Sequence, residues 1–465
     1  MDALILMGHH RQLAWLTSTN PVRVSIWVLL CLLILGSALV PVQANTDFIL
    51  GVATHLTRQP RPIDQSLDAL ADAGVISLRD DADWSRVEQE RGVLKIPAQW
   101  DEVVDGAEKR GIKPLLILDY GNQFYDGGDK PVSPEAIAAF TNYARFLAQH
   151  FQGLVAYYEI WNEWDHGAGH TTPGTAASYV RLIRSVYPEI KKLDPKAKIL
   201  VGGMTAGGVR GDFLSQILKL GALDYADALS LHTYVHCQKG RAAEDWVIWM
   251  REVGDKLELL AGKKVPVYIT EMGWPTHHGP CGISEQTQAE NLTKMFLLSK
   301  TLPFIKGIWW YDLQNDGLDP MNMEHNFGLL DHELRPKPAY LALKRISSLI
   351  REGEYVGSLT AQQDRVRALH FRKGNEDVLA IWTDDPSTCP TVQITAGEDV
   401  SLKAGPIQGS IQSLPHTKSV GQKGERIHQA KLALSSMPRL ITLPTGSLRN
   451  KPIEIHCGHN TDAFP

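Results

Sequence analysis

The chain has 465 residues, 43% hydrophobic and 21% charged, with a formal net charge of -5. This is the usage of a soluble globular protein of one to three domains, with enough chain to bury a large core. It leaves no basic footprint for nucleic acid and weighs against a polyanionic partner.

The first 44 residues read as a targeting segment. Arg23 precedes an apolar run over 24–40, and Val42-Gln43-Ala44 offers a small-residue cleavage site. The run is short for a spanning helix, which needs about 20 apolar residues. An export signal is the expectation, with a membrane anchor through 24–40 as the alternative. The mature protein is then periplasmic or secreted.

From residue 48 onward short apolar runs alternate with amphipathic stretches. The runs are Phe48–His55, Val75–Arg79, Lys113–Tyr120, Val155–Glu163, Lys198–Met204, Ala228–Tyr234, Val265–Glu271 and Ile305–Tyr311. Helical patterns fall between them, among them Pro134–His150, Ala176–Leu193, Glu244–Leu260, Ser284–Thr301 and Lys337–Ile350. Eight strand–helix units over 45–352 predict a (β/α)8 TIM barrel. Continuous apolar strands suit a parallel sheet covered on both faces. An open doubly wound sheet is the competing fold, but no Gly-x-Gly-x-x-Gly turn follows the first strand. Over 353–465 short alternating runs take over, at Val366–Phe371, Val378–Trp382, Thr391–Ile394, Ile427–Leu434 and Arg439–Leu443. They predict a small all-β, sandwich-like domain.

Two of the barrel runs are unusual. Tyr158-Glu159-Ile160-Trp161-Asn162-Glu163-Trp164 and Val267-Tyr268-Ile269-Thr270-Glu271-Met272-Gly273-Trp274 each carry a glutamate at the end of a buried strand, close to a tryptophan. An unpaired buried charge is costly, so stability does not explain them. Two carboxylates meeting at the open end of a barrel, among aromatic rings, are the equipment for glycoside hydrolysis. Functional residues sit at the C-terminal ends of barrel strands. Those ends supply His55, Arg79, Asp119, Tyr120, Asn162, Glu163, His232, Tyr234, Glu271 and the pair Trp309-Trp310. Glu159 lies deeper on the parity of Glu163 and reads as structural. No metal or cofactor is expected.

Here the chain resembles clan A glycoside hydrolases. Ile160-Trp161-Asn162-Glu163 resembles the Asn-Glu signature ending their fourth strand, and Ile269-Thr270-Glu271-Met272-Gly273-Trp274 their seventh. Leu78-Arg79-x4-Trp84-x3-Glu88-x3-Gly92 resembles the second strand and loop of family 39 and related family 5 members. Ser284–Glu290 and Arg335–Tyr340 resemble the last two helix starts, so the match covers about 48–350. The resemblance implies a retaining glycosidase cleaving β-glycosidic bonds of an oligo- or polysaccharide, with Glu163 as acid/base and Glu271 as nucleophile. It implies that Asn162 binds a sugar hydroxyl, that His232 and Tyr234 orient Glu271, and that Trp310 stacks on the sugar. Trp84, Trp164 and Trp274 are candidates for neighbouring subsites, and core packing is the rival reading for Trp84 and Trp164. The third strand ends Asp119-Tyr120 where many relatives carry histidine, which leaves the sugar open. An inactive carbohydrate-binding protein and a transglycosidase are the alternatives on the same barrel.

Beyond the targeting segment four cysteines remain, Cys237, Cys281, Cys389 and Cys457. An even count in an exported chain suggests two disulfides, with three connectivities open. Cys237 with Cys281 and Cys389 with Cys457 is the economical choice. No Cys-x-x-Cys spacing points to zinc.

Overall fold

The computed structural model describes residues 48–238, 242–359, 366–387, 389, 391–397, 403–406, 412–413, 416–420, 426–445 and 454–457. The targeting segment expected over 1–44, with its apolar run 24–40, lies outside them. Among the described residues no helix is long and apolar enough to cross a membrane.

Eight strands close into a parallel barrel in chain order: β1 Ile49–Ala53, β2 Ser77–Asp83, β3 Lys113–Asp119, β4 Tyr157–Ile160, β5 Lys198–Met204, β6 Ala228–His232, β7 Val267–Met272 and β8 Ile305–Trp310. The closing register sets Gly51 beside Trp309. The helices start where the sequence provides caps. Ser133 Oγ accepts from the Ala136 N–H ahead of Pro134, and Thr175 and Ser284 do the same for the helices Ala176–Leu193 and Glu285–Ser299. Such caps satisfy N–H groups that the helix cannot, and proline at the first turn loses nothing.

The barrel is filled, not hollow. Leu115, Ile117, Tyr157, Leu200, Ala228, Tyr268 and Trp309 pack along its axis. Gly51 is what admits Trp309, since a Cβ there would lie 2.4 Å from the indole ring. The filled floor leaves the strand ends at the opposite mouth as the place for chemistry.

Strand β2 differs from the expectation. It runs on past Arg79 through Asp80, Asp81 and Asp83. A charged run does not read as a strand, yet pairing with β3 continues to Asp83. Arg79 is therefore inside the barrel, one layer below the mouth.

The C-terminal region is all-β among the described residues. One antiparallel sheet runs in the order Gln412–Ser413, Lys403–Pro406, Arg439–Pro444, Glu376–Thr383, Val366–Lys373, Glu354–Ser358. A second runs His416–Val420, Arg426–Ala433, Thr391–Gly397, Glu454–Cys457. Phe371, Ala380 and Trp382 join the core beneath the barrel helices. Trp382 Nε1 donates to Glu244 at 3.0 Å, and Lys373 Nζ to Ser348 at 2.8 Å. Cys237 and Cys281 are bridged, with Cα atoms 4.9 Å apart. Cys389 is also disulfide-bonded. Its expected partner Cys457 has its backbone opposite Val392, but that pairing rests on a side chain outside the described residues.

Candidate active site

Side-chain alternation delivers the site. Along β2, Ser77 bonds to the Trp309 indole, Arg79 sits above it, and Asp81 reaches the mouth. On β4, Tyr157 packs in the floor and Glu159 points the same way two residues on. The chain then leaves the strand through left-handed backbone at Trp161 (φ 68°) and Glu163 (φ 51°). Non-glycine residues avoid this region, and where they hold it the surroundings must enforce it. The enforcement here is the Glu163 N–H bonded to the Gly203 carbonyl at 2.8 Å. A Cβ on Gly203 would lie 2.9 Å from the Trp161 carbonyl, so only glycine fits.

Glu271 reaches the cavity through a different device. Tyr268 and Thr270 face the barrel interior, so simple alternation would aim Glu271 outward. The pairing of β7 with β8 slips between Ile269 and Met272, and with β6 between Leu231 and His232. Such bulges re-aim side chains, and this one turns Glu271 inward.

Arg79 ties the centre together. It donates from Nε to Glu159 at 2.8 Å, from Nη1 to Glu271 at 2.6 Å and from Nη2 to Asn162 Oδ1 at 2.9 Å. Tyr234 donates to the other Glu271 oxygen at 2.9 Å. Both oxygens of Glu271 are thus held. His232 Nε2 lies 3.3 Å from Arg79 Nη2. A guanidinium only donates, so Nε2 accepts and Nδ1–H faces Glu163 at 3.0 Å and Glu271 at 3.6 Å. Burial opposes a charge on His232, while Glu271 and Glu163 outweigh it and raise its pKa. One donor atom each from Glu163, His232 and Glu271 all lie within 4.8 Å of one another. Glu159, fully buried, is satisfied by Arg79 and the Thr270 hydroxyl, which fits a structural role.

Above this network opens a cavity of about 530 Å³. Of the expected residues, His55, Tyr120, Asn162, Glu163, Tyr234 and Glu271 line it. Asn162 Nδ2 donates to the Tyr120 hydroxyl at 2.7 Å. Arg79 and His232 are buried beneath the wall, in contact with Glu271 and Glu163.

Besides Arg79 and His232, three more expected substrate contacts do not reach the cavity. Trp310 is fully buried, because alternation along β8 turns Trp309 into the barrel, Trp310 out toward the helices, and Tyr311 back into the cavity. Trp274 is buried against Trp310, with ring centroids 5.9 Å apart. Asp119 lies under the wall beside Asp81. Burial and the Asp81 charge push its carboxyl well above the usual range, with Arg58 opposing. Trp84 and Trp164 are core residues, stacked on Tyr125 and edge-on to Trp161.

The sequence reading missed Arg58, Asp81, His236, Tyr311, Met323, Glu324 and Phe327, all on the wall. Asp81 and Tyr311 were recoverable from alternation, once the strands were extended. The others stand on loops, where no periodicity marks them.

His55 is anchored by Asp316 at 2.9 Å and by Asp312 at 3.8 Å. Burial works against its charge, but these carboxylates win and push it up to about 9. His55 with Asp312 and Asp316, and Glu163 with His232 and Glu271, are the groupings among the described residues that could approach a cation. Arg61 already pairs with the first, and Arg79 with the second.

Residues 43–311 match the family described as Cellulase (glycosyl hydrolase family 5). No curated protein sequence matches the chain. Among solved structures it is similar to a family 39 glycoside hydrolase from the gut symbiont Bacteroides cellulosilyticus WH2, with 26% identity over 86% of this chain and 82% of that one, at a TM-score of 0.70. It shares its fold with the GH39 enzyme from Xanthomonas axonopodis pv. citri, with 14% identity over 86% and 94% of the two chains and a TM-score of 0.59. It does so too with GH5_18 from Streptomyces cattleya in complex with GlcNAc, with 16% identity over 65% and 80% and a TM-score of 0.55. The chain belongs to the cellulase family, glycosyl hydrolase family 5, built on the clan A (β/α)8 barrel of the glycoside hydrolases.

Proposed function

We propose that this chain is a retaining β-glycosidase acting on an oligo- or polysaccharide, with Glu271 as nucleophile and Glu163 as acid/base. The carrying observation is the approach of the two carboxylates, with oxygens within 4.8 Å across the cavity. Retaining enzymes keep their carboxyl groups about 5–5.5 Å apart, and inverting ones about 6.5–9.5 Å to admit a water.

Glu271 attacks the anomeric carbon while Glu163 gives its proton to the departing glycosidic oxygen. The carbon–oxygen bond to the leaving sugar breaks as the bond to Glu271 forms. Glu163, now ionised, takes a proton from water, whose oxygen displaces Glu271 from the same carbon. Arg79 and Tyr234 hold the Glu271 carboxylate from both oxygens, so the nucleophile needs no rearrangement before attack. Asn162, fixed by Arg79 and Tyr120, is suited to meet a sugar hydroxyl. Tyr311 takes over the aromatic wall expected of Trp310. We also infer export from the cytoplasm, by signal cleavage or with attachment through 24–40. The apolar run and the Cys237–Cys281 disulfide support it.

The test uses three variants at the two carboxylates. Glu271→Gln should leave less than about a tenth of the wild-type rate. Glu271→Ala in azide should release an α-glycosyl azide. Glu163→Ala should lose far more on sugar leaving groups than on activated aryl ones, which depart without a proton. Inversion at the anomeric carbon in the first-formed product would overturn the reading.

A further inference from the structure

Among the described residues, the cavity wall carries three basic side chains, His55, Arg58 and His236. Two are ion-paired and the third is uncharged. His55 is committed to Asp316 and Asp312. Arg58 lies 3.3 Å from Asp81 and 3.7 Å from Asp83, and stacks over the Tyr120 ring at 5.0 Å. His236 is packed edge-on between Tyr234 and Phe327. Burial and the nearby His277 hold it down at about 4, so it stays neutral. Beneath the wall, Arg79 is spent on Glu159 and Glu271.

The acidic side is not balanced in this way. Glu324, on the loop after β8, faces the same space as Glu163 and Glu271. Its charged neighbours are Glu271, Asp316 and Glu163, with His55 opposing, and burial and these carboxylates raise its pKa. A sugar carboxylate or sulfate entering here would meet the carboxylates of Glu163, Glu271 and Glu324 and, among the described wall residues, no unpaired cation, in a space where charge is poorly screened. An ammonium or a neutral hydroxyl would not.

Resting on the glycosidase reading above, we propose that Glu324 makes this site charge-selective: it takes sugars that are neutral or carry an ammonium group, and rejects those bearing a carboxylate or sulfate. Specificity of this kind is built by repulsion of the wrong ligand as much as by attraction of the right one.

The experiment uses 4-nitrophenyl β-glycosides that share ring stereochemistry and differ in charge: glucoside, glucuronide and 2-amino-2-deoxyglucoside, with galactoside and galacturonide as a second set. For the set that is turned over, kcat/KM of the uronide should lie at least about 100-fold below that of the neutral glycoside. The gap should shrink as salt is raised to about 0.5 M, because screening weakens repulsion. Glu324→Gln should narrow it about tenfold at low salt, an effect that a merely structural role would not confine to the charged substrate. A uronide hydrolysed within tenfold of its neutral partner would overturn the proposal, as would a gap unchanged in Glu324→Gln. If no glycoside of any charge is turned over, the glycosidase reading fails instead. The charge rule is then decided by thermal-shift titration of wild type and Glu324→Gln with the same compounds, and equal binding of uronide and glycoside refutes it.

Discussion

Arg79→Met tests whether one guanidinium holds both the fold and the Glu271 carboxylate. Arg79 is 2% exposed and its partner Glu159 is fully buried. Removing one member of a buried ion pair costs about 3–5 kcal/mol, because the other is left charged and unpaired. Glu159 would keep only the Thr270 hydroxyl, at 2.7 Å. Against a total stability of roughly 5–15 kcal/mol the loss should be plain in urea unfolding, and worth several degrees in Tm. Adding Glu159→Gln should return about 1–3 kcal/mol, since the orphaned charge is gone. Activity should not return with it. Glu271 Oε1 and Asn162 Oδ1 would still lack their donor, and kcat/KM should stay down by about 100-fold or more. The assay is therefore a two-by-two set of variants scored for both unfolding free energy and kcat/KM. An Arg79→Met loss below about 1 kcal/mol, or a double variant no more stable than the single, would refute the reasoning.

The His55–Asp316 pair should make stability depend on pH in a defined window. Its folded pKa is raised to about 9 from 6.5, so its contribution is complete below 6.5 and lost as pH rises through 9. Counted once for the pair, the upper bound is about 3 kcal/mol. The stability difference between wild type and His55→Asn should fall across that window, and a difference flat from pH 6 to 10 would contradict it. Gly51→Ala should destabilise by about 1–3 kcal/mol through overpacking, because the new Cβ would sit 2.4 Å from the Trp309 ring. Trp309→Phe in the same chain should recover part of the loss in calorimetry.

The barrel was legible in the sequence because most of its strands are apolar runs and its helices carry caps and amphipathic stripes. All eight runs predicted as strands are strands in the barrel, and the helices Pro134–His150 and Ala176–Leu193 match their predicted bounds. Glu163 and Glu271 were legible because a carboxylate ending an apolar run has no local reason to be there. What the sequence could not determine is which way a side chain turns when the strand is irregular. A bulge in β7 aims Glu271 inward, and left-handed backbone lifts Glu163 off β4. Neither has a signature in a single chain. Period-two alternation decided the aromatic wall, burying Trp310 and presenting Tyr311, a difference of one residue that shared aromatic character conceals. The charge balance of the cavity belongs wholly to tertiary structure. Whether His55, Arg58 or Glu324 is free to meet a substrate depends on carboxylates brought beside them from distant strands and loops, such as Asp316 beside His55 from 261 residues away. Composition counts charges but cannot pair them, and only the closed barrel fixes the distances over which they act.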